Sequence, residues 1–110
     1  MEIRKRSEGG YTILELQGEV DLSCSPEARK EILGVLQSNQ PLLVDLAGVS
    51  YIDSSGVASL VEGYQLAKKK KLNFGLIGVS RAALAVLVLA RLDKVFPIHG
   101  SVAERITADG

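Results

Sequence analysis

The first part of the chain has the pattern of two paired strands. A β-prone run at residues 11–16 follows two glycines at 9–10, which favour a turn, and a first strand is predicted around residues 3–6. Two strands joined by so short a connection predict an antiparallel hairpin. Residues 18–24 break the alternation, and we expect them to form a loop that leads into a helix.

Two later stretches repeat apolar residues at helical spacing. The first helix is predicted to begin at Ser25-Pro26-Glu27, with Ser25 as its N-cap, and to end before residue 38. The second has an apolar stripe and is expected to end within the lysines at 68–71. Its stripe consists of Val57, Leu60, Val61 and Tyr64. Between the helices, residues 42–46 resemble a central strand buried on both faces, followed by a loop at 47–53.

The rest of the chain predicts two more strands and two more helices. A strand is expected at 72–77, a helix at 80–92, and a last strand at 95–98, where Pro97 favours an edge position. Ser101 and Glu104 form a capping box that begins a closing helix. The order ββαβαβαβα predicts one α/β domain over residues 1–110, a mixed sheet of about five strands with about four helices packed on it.

The third predicted helix is unusual because it contains no polar or charged residue from Ala82 to Ala90. Either this helix is unusually buried, or it presents an apolar docking face to a partner or to a second copy. Nine residues are too few to span a bilayer.

Composition narrows the function classes. The 110 residues are 46% hydrophobic, and 13 basic residues balance 13 acidic ones, which argues against non-specific nucleic-acid binding. Zero net charge also leaves little repulsion against a weak homodimer. Cys24 is the only cysteine, so no internal disulfide can form, and no cofactor site is expected. The charged start and the absence of a long apolar run predict a cytoplasmic protein without a membrane span.

The segment Asp53-Ser54-Ser55-Gly56 opens the second helix and is the main candidate for chemistry. Asp53 or Ser54 can cap this helix, and its free N–H groups could receive a phosphate. The simpler interpretation is a capped helix after a tight loop. Helical projection places Ser55 and Ser59 opposite the apolar stripe, so that Ser55 should face solvent or a partner. Gly56 indicates either conformational freedom or the close approach of another backbone.

Three stretches together resemble the STAS domain family, particularly the bacterial anti-sigma factor antagonists. They are Gly18-Glu19-Val20-Asp21, residues 44–60 around Ile52-Asp53-Ser54-Ser55-Gly56, and Leu92-Asp93-Lys94-Val95-Phe96. The resemblance implies a non-enzymatic regulator of sigma-factor-dependent transcription. Such a protein binds an ATP-binding anti-sigma factor kinase and releases it when a serine, here Ser54, is phosphorylated. A serine phosphatase reverses the modification.

The resemblance and the predicted loop place the partner contact at two neighbouring segments. The expected partner-binding residues are Asp21, Leu22, Ser23, Asp53, Ser54, Ser55, Gly56 and Ser59. Other members of the family are accessory subunits of ABC-type lipid transporters and bind the ATPase without phosphorylation. That alternative stays open here, because the apolar third helix would suit a constitutive helix contact.

Overall fold

A computed structural model describes all residues, Met1–Gly110, and confirms the predicted element order. Its strands are β1 (Glu2–Glu8), β2 (Tyr11–Val20), β3 (Leu42–Ile52), β4 (Phe74–Ile77) and β5 (Ile98–His99). They form one five-stranded sheet in the order β1-β2-β3-β4-β5. The β1–β2 pair is antiparallel, as the predicted hairpin requires, and the other three pairs are parallel. The mixed sheet is therefore confirmed, with β3 at its centre.

Four helices cover the two faces of the sheet unequally. They are α1 (Ser25–Gln37), α2 (Ser54–Lys70), α3 (Arg81–Leu89) and α4 (Val102–Asp109). Helices α1, α2 and α3 share the larger core cluster, to which they contribute Ile32, Leu60 and Leu87. Helix α4 packs on the opposite face through Val102. Successive residues of β3 point to opposite faces, so that Val44 joins the larger cluster and Leu43 the smaller one.

Strands β2 and β3 run further than their patterns predict. Part of the loop expected at 18–24 and most of the loop expected at 47–53 are instead paired strand, with Gly18 opposite Val49 and Val20 opposite Ile52. Two register shifts, each with one extra residue in β3, interrupt the alternation of side chains in that strand, and Gly18 opposite them takes a φ of 88°. The connection before α1 therefore shortens to residues 21–24. Asp53 alone separates β3 from α2.

The predicted N-cap of α1 is wrong. Cys24 occupies the cap position without a side-chain capping bond, and Ser25 is the first helical residue. The chain already turns at Asp21, whose carbonyl oxygen accepts hydrogen bonds from the N–H groups of Cys24 (3.1 Å) and Ser25 (2.8 Å). That turn satisfies the first amide groups without help from a serine side chain, and Ser25 is buried instead.

The last strand is shorter than predicted and shifted along the chain. The N–H groups of Val95 and Phe96 donate to the carbonyl oxygen of Leu92 in a turn, and β5 contains only Ile98 and His99. Pro97 has no N–H to donate, although its carbonyl oxygen accepts from Leu76 N (2.9 Å). The predicted edge position of this strand is confirmed.

Helix α3 ends at Leu89, before the predicted residue 92, and exposes much of its apolar surface. Ala83 and Leu87 are fully buried, whereas Leu84 is 39% exposed and Leu89 is 84% exposed. The interpretation of α3 as an unusually buried helix is therefore wrong. None of the four helices combines the length and hydropathy needed to cross a bilayer.

Candidate functional site

The start of α2 is organised by the side chain of Asp53. Its Oδ1 accepts hydrogen bonds from the N–H groups of Ser55 (2.9 Å) and Gly56 (3.1 Å), so Asp53 is the N-cap. The same oxygen accepts from Ser55 Oγ at 2.5 Å. This hydroxyl bond is the main cause that lowers the pKa of Asp53, and the two amide bonds act in the same direction. The carboxylate is therefore charged at neutral pH.

Asp53 also ties the β2–α1 loop to α2. Its Oδ2 accepts a hydrogen bond from Leu22 N at 3.1 Å, and its own N–H donates to the carbonyl oxygen of Val20 at 3.2 Å. The predicted site segments at 21–23 and 53–55 therefore meet at the carboxyl edge of β2 and β3. Leu22 projects from this junction with 73% of its surface exposed.

The loop itself is held by Asp21. Its Oδ1 accepts hydrogen bonds from Ser23 N (3.0 Å) and Ser23 Oγ (2.5 Å), and the hydroxyl bond is the main cause that lowers the pKa of Asp21. Cys24 is half-buried, and its thiol donates to the carbonyl oxygen of Glu19 at 3.2 Å. Two charged carboxylates, Asp21 and Asp53, thus flank the exposed Leu22.

The three serines at the start of α2 differ in what their hydroxyl groups do. Ser54 is exposed in the first turn. Ser55 is half-buried, and its hydroxyl donates to Asp53 Oδ1. Ser59 is only 4% exposed, and its hydroxyl lies 3.1 Å from the carbonyl oxygen of Ser55 and 3.4 Å from that of Ser25. The prediction that Ser59 faces a partner is wrong, because α1 covers that side of α2.

Gly56 brings α2 close to the strand ends. A Cβ at this position would lie 2.7 Å from Ile52 Cγ1 and 3.0 Å from the carbonyl oxygen of Val20. The predicted close approach of another backbone is therefore confirmed. Gly56 is buried, however, so its predicted contact with a partner is wrong. Its contribution to the surface is indirect, because the close approach fixes where Ser54 and Ser55 sit.

The side chains at the carboxyl ends of β2 and β3 are suited to protein contact. No group of three His, Cys, Asp or Glu side chains is arranged to hold a metal ion. An exposed hydroxyl on Ser54, an exposed apolar side chain on Leu22 and two carboxylates lie together at the surface. Such a surface fits docking by another protein and modification by another enzyme.

The chain resembles proteins of known family over nearly its whole length. The sequence model of the STAS domain family matches residues 2–105, nearly the whole chain. The chain belongs to the STAS domain family. It is 24% identical over 109 residues to the anti-sigma F factor antagonist of Paenibacillus polymyxa. The aligned region covers 97% of this chain and 93% of the relative.

Two further relatives agree with that assignment. An anti-sigma-B factor antagonist of Bacillus subtilis is 24% identical over 85 residues, covering 77% of this chain and 78% of its own length. The structure of a STAS domain anti-sigma factor antagonist protein from Planctomyces limnophilus superimposes with a TM-score of 0.85. It is 25% identical and covers 96% of each chain.

Val20 supports this surface of the STAS domain from below, a role that the sequence pattern did not specify. Val20 anchors Asp53 through its carbonyl oxygen and limits the space beside Gly56. The signals for Val20 were its place in the stretch Gly18-Glu19-Val20-Asp21 and the glycine at position 56.

Proposed function

We propose that this STAS domain is an anti-sigma factor antagonist controlled by phosphorylation of Ser54. In its unmodified form it binds an anti-sigma factor that is also an ATP-binding serine kinase, and thereby frees a sigma factor for transcription. The kinase phosphorylates Ser54 and the complex separates, and a serine phosphatase restores the unmodified form. The contact surface consists of Asp21, Leu22, Ser23, Asp53, Ser54 and Ser55.

The observation that carries this proposal is the contrast among the serine hydroxyl groups. A kinase needs an accessible hydroxyl, and Ser54 is the exposed serine of the first turn of α2. The Ser55 hydroxyl donates to Asp53, and the Ser59 hydroxyl is buried beside α1. The names of the two relatives, antagonists of anti-sigma factors, support the same class of partner.

The position of Ser54 explains how a phosphate would act on binding more than on folding. Phosphorylation adds about −1.5 to −2 charges. The N-terminus of α2 carries a partial positive charge that favours an anion, so the helix itself tolerates the modification. A partner docked on Leu22 would have to desolvate this charge next to the carboxylates of Asp21 and Asp53. The phosphate therefore opposes docking.

Intact mass spectrometry after incubation with ATP and a candidate anti-sigma factor kinase from the same organism tests the assignment. The unmodified chain should gain one phosphate, Ser54→Ala should gain none, and the control Ser55→Ala should still be phosphorylated. Ser54→Asp should weaken partner binding while its Tm stays close to that of the unmodified chain.

If the chain is instead an accessory subunit of an ABC-type transporter, incubation with ATP and the kinase should add no phosphate. A chain that is never phosphorylated, and that co-purifies stably with an ABC ATPase, would contradict the proposed switch. A Ser54→Asp variant that loses stability but keeps full affinity for the kinase would also contradict it.

A further inference from the structure

The outer face of α3 is an apolar surface that the site around Ser54 does not use. Its exposed large side chains are Leu84 (39%), Val88 (50%) and Leu89 (84%), and Val95 beyond the helix is 46% exposed. Leu84 and Val88 are one turn apart, and Leu89 lies about 100° further round the helix, so the three span a broad outward arc opposite the buried Ala83 and Leu87. We call Leu84, Val88 and Leu89 the α3 face.

Basic side chains stand at both ends of the α3 face. Arg81 begins the helix, and Arg91 and Lys94 follow its end, all three exposed. None of the three takes part in an ion pair, because the five ion pairs of the protein involve other residues. Asp93 is the one acidic residue between positions 80 and 96. In the segment 80–96 basic residues therefore outnumber acidic ones three to one, although Glu104 lines a groove with Leu84 and the whole chain has no net charge.

This charge pattern disfavours a second copy of the chain as the occupant. Two α3 helices packed antiparallel about a two-fold axis would place Arg81 of one copy near Arg91 of the other. No carboxylate of α3 itself is available to offset that repulsion, because the helix contains no acidic residue. The occupant must instead supply negative charge around an apolar surface.

The size of the α3 face disfavours a protein occupant as well. A helix of nine residues is about 13 Å long, so its outward side is much smaller than the roughly 800 Å² per partner that a stable protein interface buries. A lipid surface requires no such area. Each basic residue and each inserted aliphatic side chain adds to the attraction separately.

We propose that the α3 face docks on an anionic lipid bilayer. Leu84, Val88 and Leu89 enter the boundary between headgroups and acyl chains. Arg81, Arg91 and Lys94 lie at the level of the lipid phosphates. Such docking is peripheral and reversible, because the apolar surface is short and no segment enters the bilayer core.

Co-sedimentation of the full chain with vesicles tests the proposal, and it is independent of any kinase. We expect binding to vesicles of phosphatidylcholine with about a third phosphatidylglycerol, and little binding to phosphatidylcholine alone. Leu89→Glu should weaken binding by about tenfold or more, since it places a negative charge on the inserting face. Leu22→Glu is the matched control, because Leu22 is also an exposed leucine (73%) but lies beside Asp53.

A second pair of variants tests the charges and does not depend on the first. Arg91→Glu with Lys94→Glu should lower the affinity for anionic vesicles by about tenfold or more. Lys69→Glu with Lys71→Glu makes the same change of charge at the exposed end of α2 and should have a much smaller effect. Circular dichroism establishes that each variant is folded.

Several results would overturn the proposal. They are a failure of the chain to bind anionic vesicles, equal binding to neutral vesicles, and an equal loss in each variant and its control. Light scattering that shows a dimer, lost in Leu89→Glu, together with no vesicle binding, would assign the α3 face to a second copy instead.

Discussion

Replacing Gly56 with alanine tests the packing that fixes the start of α2. The new Cβ would lie 2.7 Å from Ile52 Cγ1, 3.0 Å from Val20 Cγ1 and 3.0 Å from the carbonyl oxygen of Val20. The side chains could turn aside, but the Val20 carbonyl belongs to a strand and accepts the hydrogen bond from Asp53 N. Relief of the contact must therefore move α2 away from β2.

The expected size of the effect follows from two opposing terms. Alanine in place of glycine favours a helix by about 1 kcal/mol. Overpacking of a tight contact costs about 1–3 kcal/mol, and a contact with backbone belongs near the upper end of that range. The free energy of unfolding of Gly56→Ala should therefore fall by about 1–2 kcal/mol, a decrease in Tm of roughly 4–8 °C.

The matched control is Gly34→Ala in α1. A Cβ at Gly34 would have no atom within 4 Å, so only the gain in helix propensity remains. This variant should be more stable than the unmodified chain by about 0.5–1 kcal/mol. Urea unfolding followed by circular dichroism measures both changes. If Gly56→Ala were stabilised as much as Gly34→Ala, the close packing of α2 against Val20 would be refuted.

Three further predictions concern stability at acid pH, the exposed Leu22 and the hydrogen bond from Arg105 in α4 to Phe74. The pKa values of Asp53 and Asp109 lie below the ordinary 3.8 because serine and tyrosine hydroxyl groups donate to them. The two charged carboxylates stabilise the fold above pH 3.8, and this stability is lost as the pH falls and they become protonated. The midpoint of urea unfolding should therefore be lower near pH 3 than near pH 7. Equal midpoints would contradict this prediction. Leu22→Ala should change stability by less than about 0.5 kcal/mol and weaken kinase binding by about tenfold in calorimetry, whereas unchanged affinity would remove Leu22 from the contact. Arg105→Met removes the guanidinium that donates to the Phe74 carbonyl oxygen at 2.9 Å, and should lower the free energy of unfolding in urea by about 2 kcal/mol; an unchanged value would show that the carbonyl finds another partner.

The predictable part of the fold was the part with a regular local pattern. The stripe of Val57, Leu60 and Tyr64 repeats every turn, and the apolar run at 42–46 is bounded by turn residues, so both elements were found. The extensions of β2 and β3 were missed because two bulges in β3, within residues 45–48 and 49–51, break the alternation. Their strand conformation depends on pairing between segments about thirty residues apart, which no local pattern reveals.

The sequence predicted which residues form the candidate site better than it predicted how they are arranged. The order of Asp53 and Ser54 at a helix start was enough to predict a capped, exposed turn. Projection on an ideal helix placed Ser59 outward because it ignored α1, which packs over that side of α2. The bond from Leu22 N to Asp53 Oδ2, which joins the two halves of the surface, links residues that are 31 positions apart.

The central claim is that one phosphate on Ser54 controls the affinity for the kinase partner. Isothermal titration of that partner with the unmodified chain and with the chain phosphorylated stoichiometrically at Ser54 tests it most directly. The expected result is binding weakened at least about a hundredfold, because a like charge placed in an interface costs several kcal/mol. The Tm of the phosphorylated chain should stay within a few degrees of the unmodified value, since the charge lies at a helix N-terminus. Equal affinity of the two forms would contradict the account.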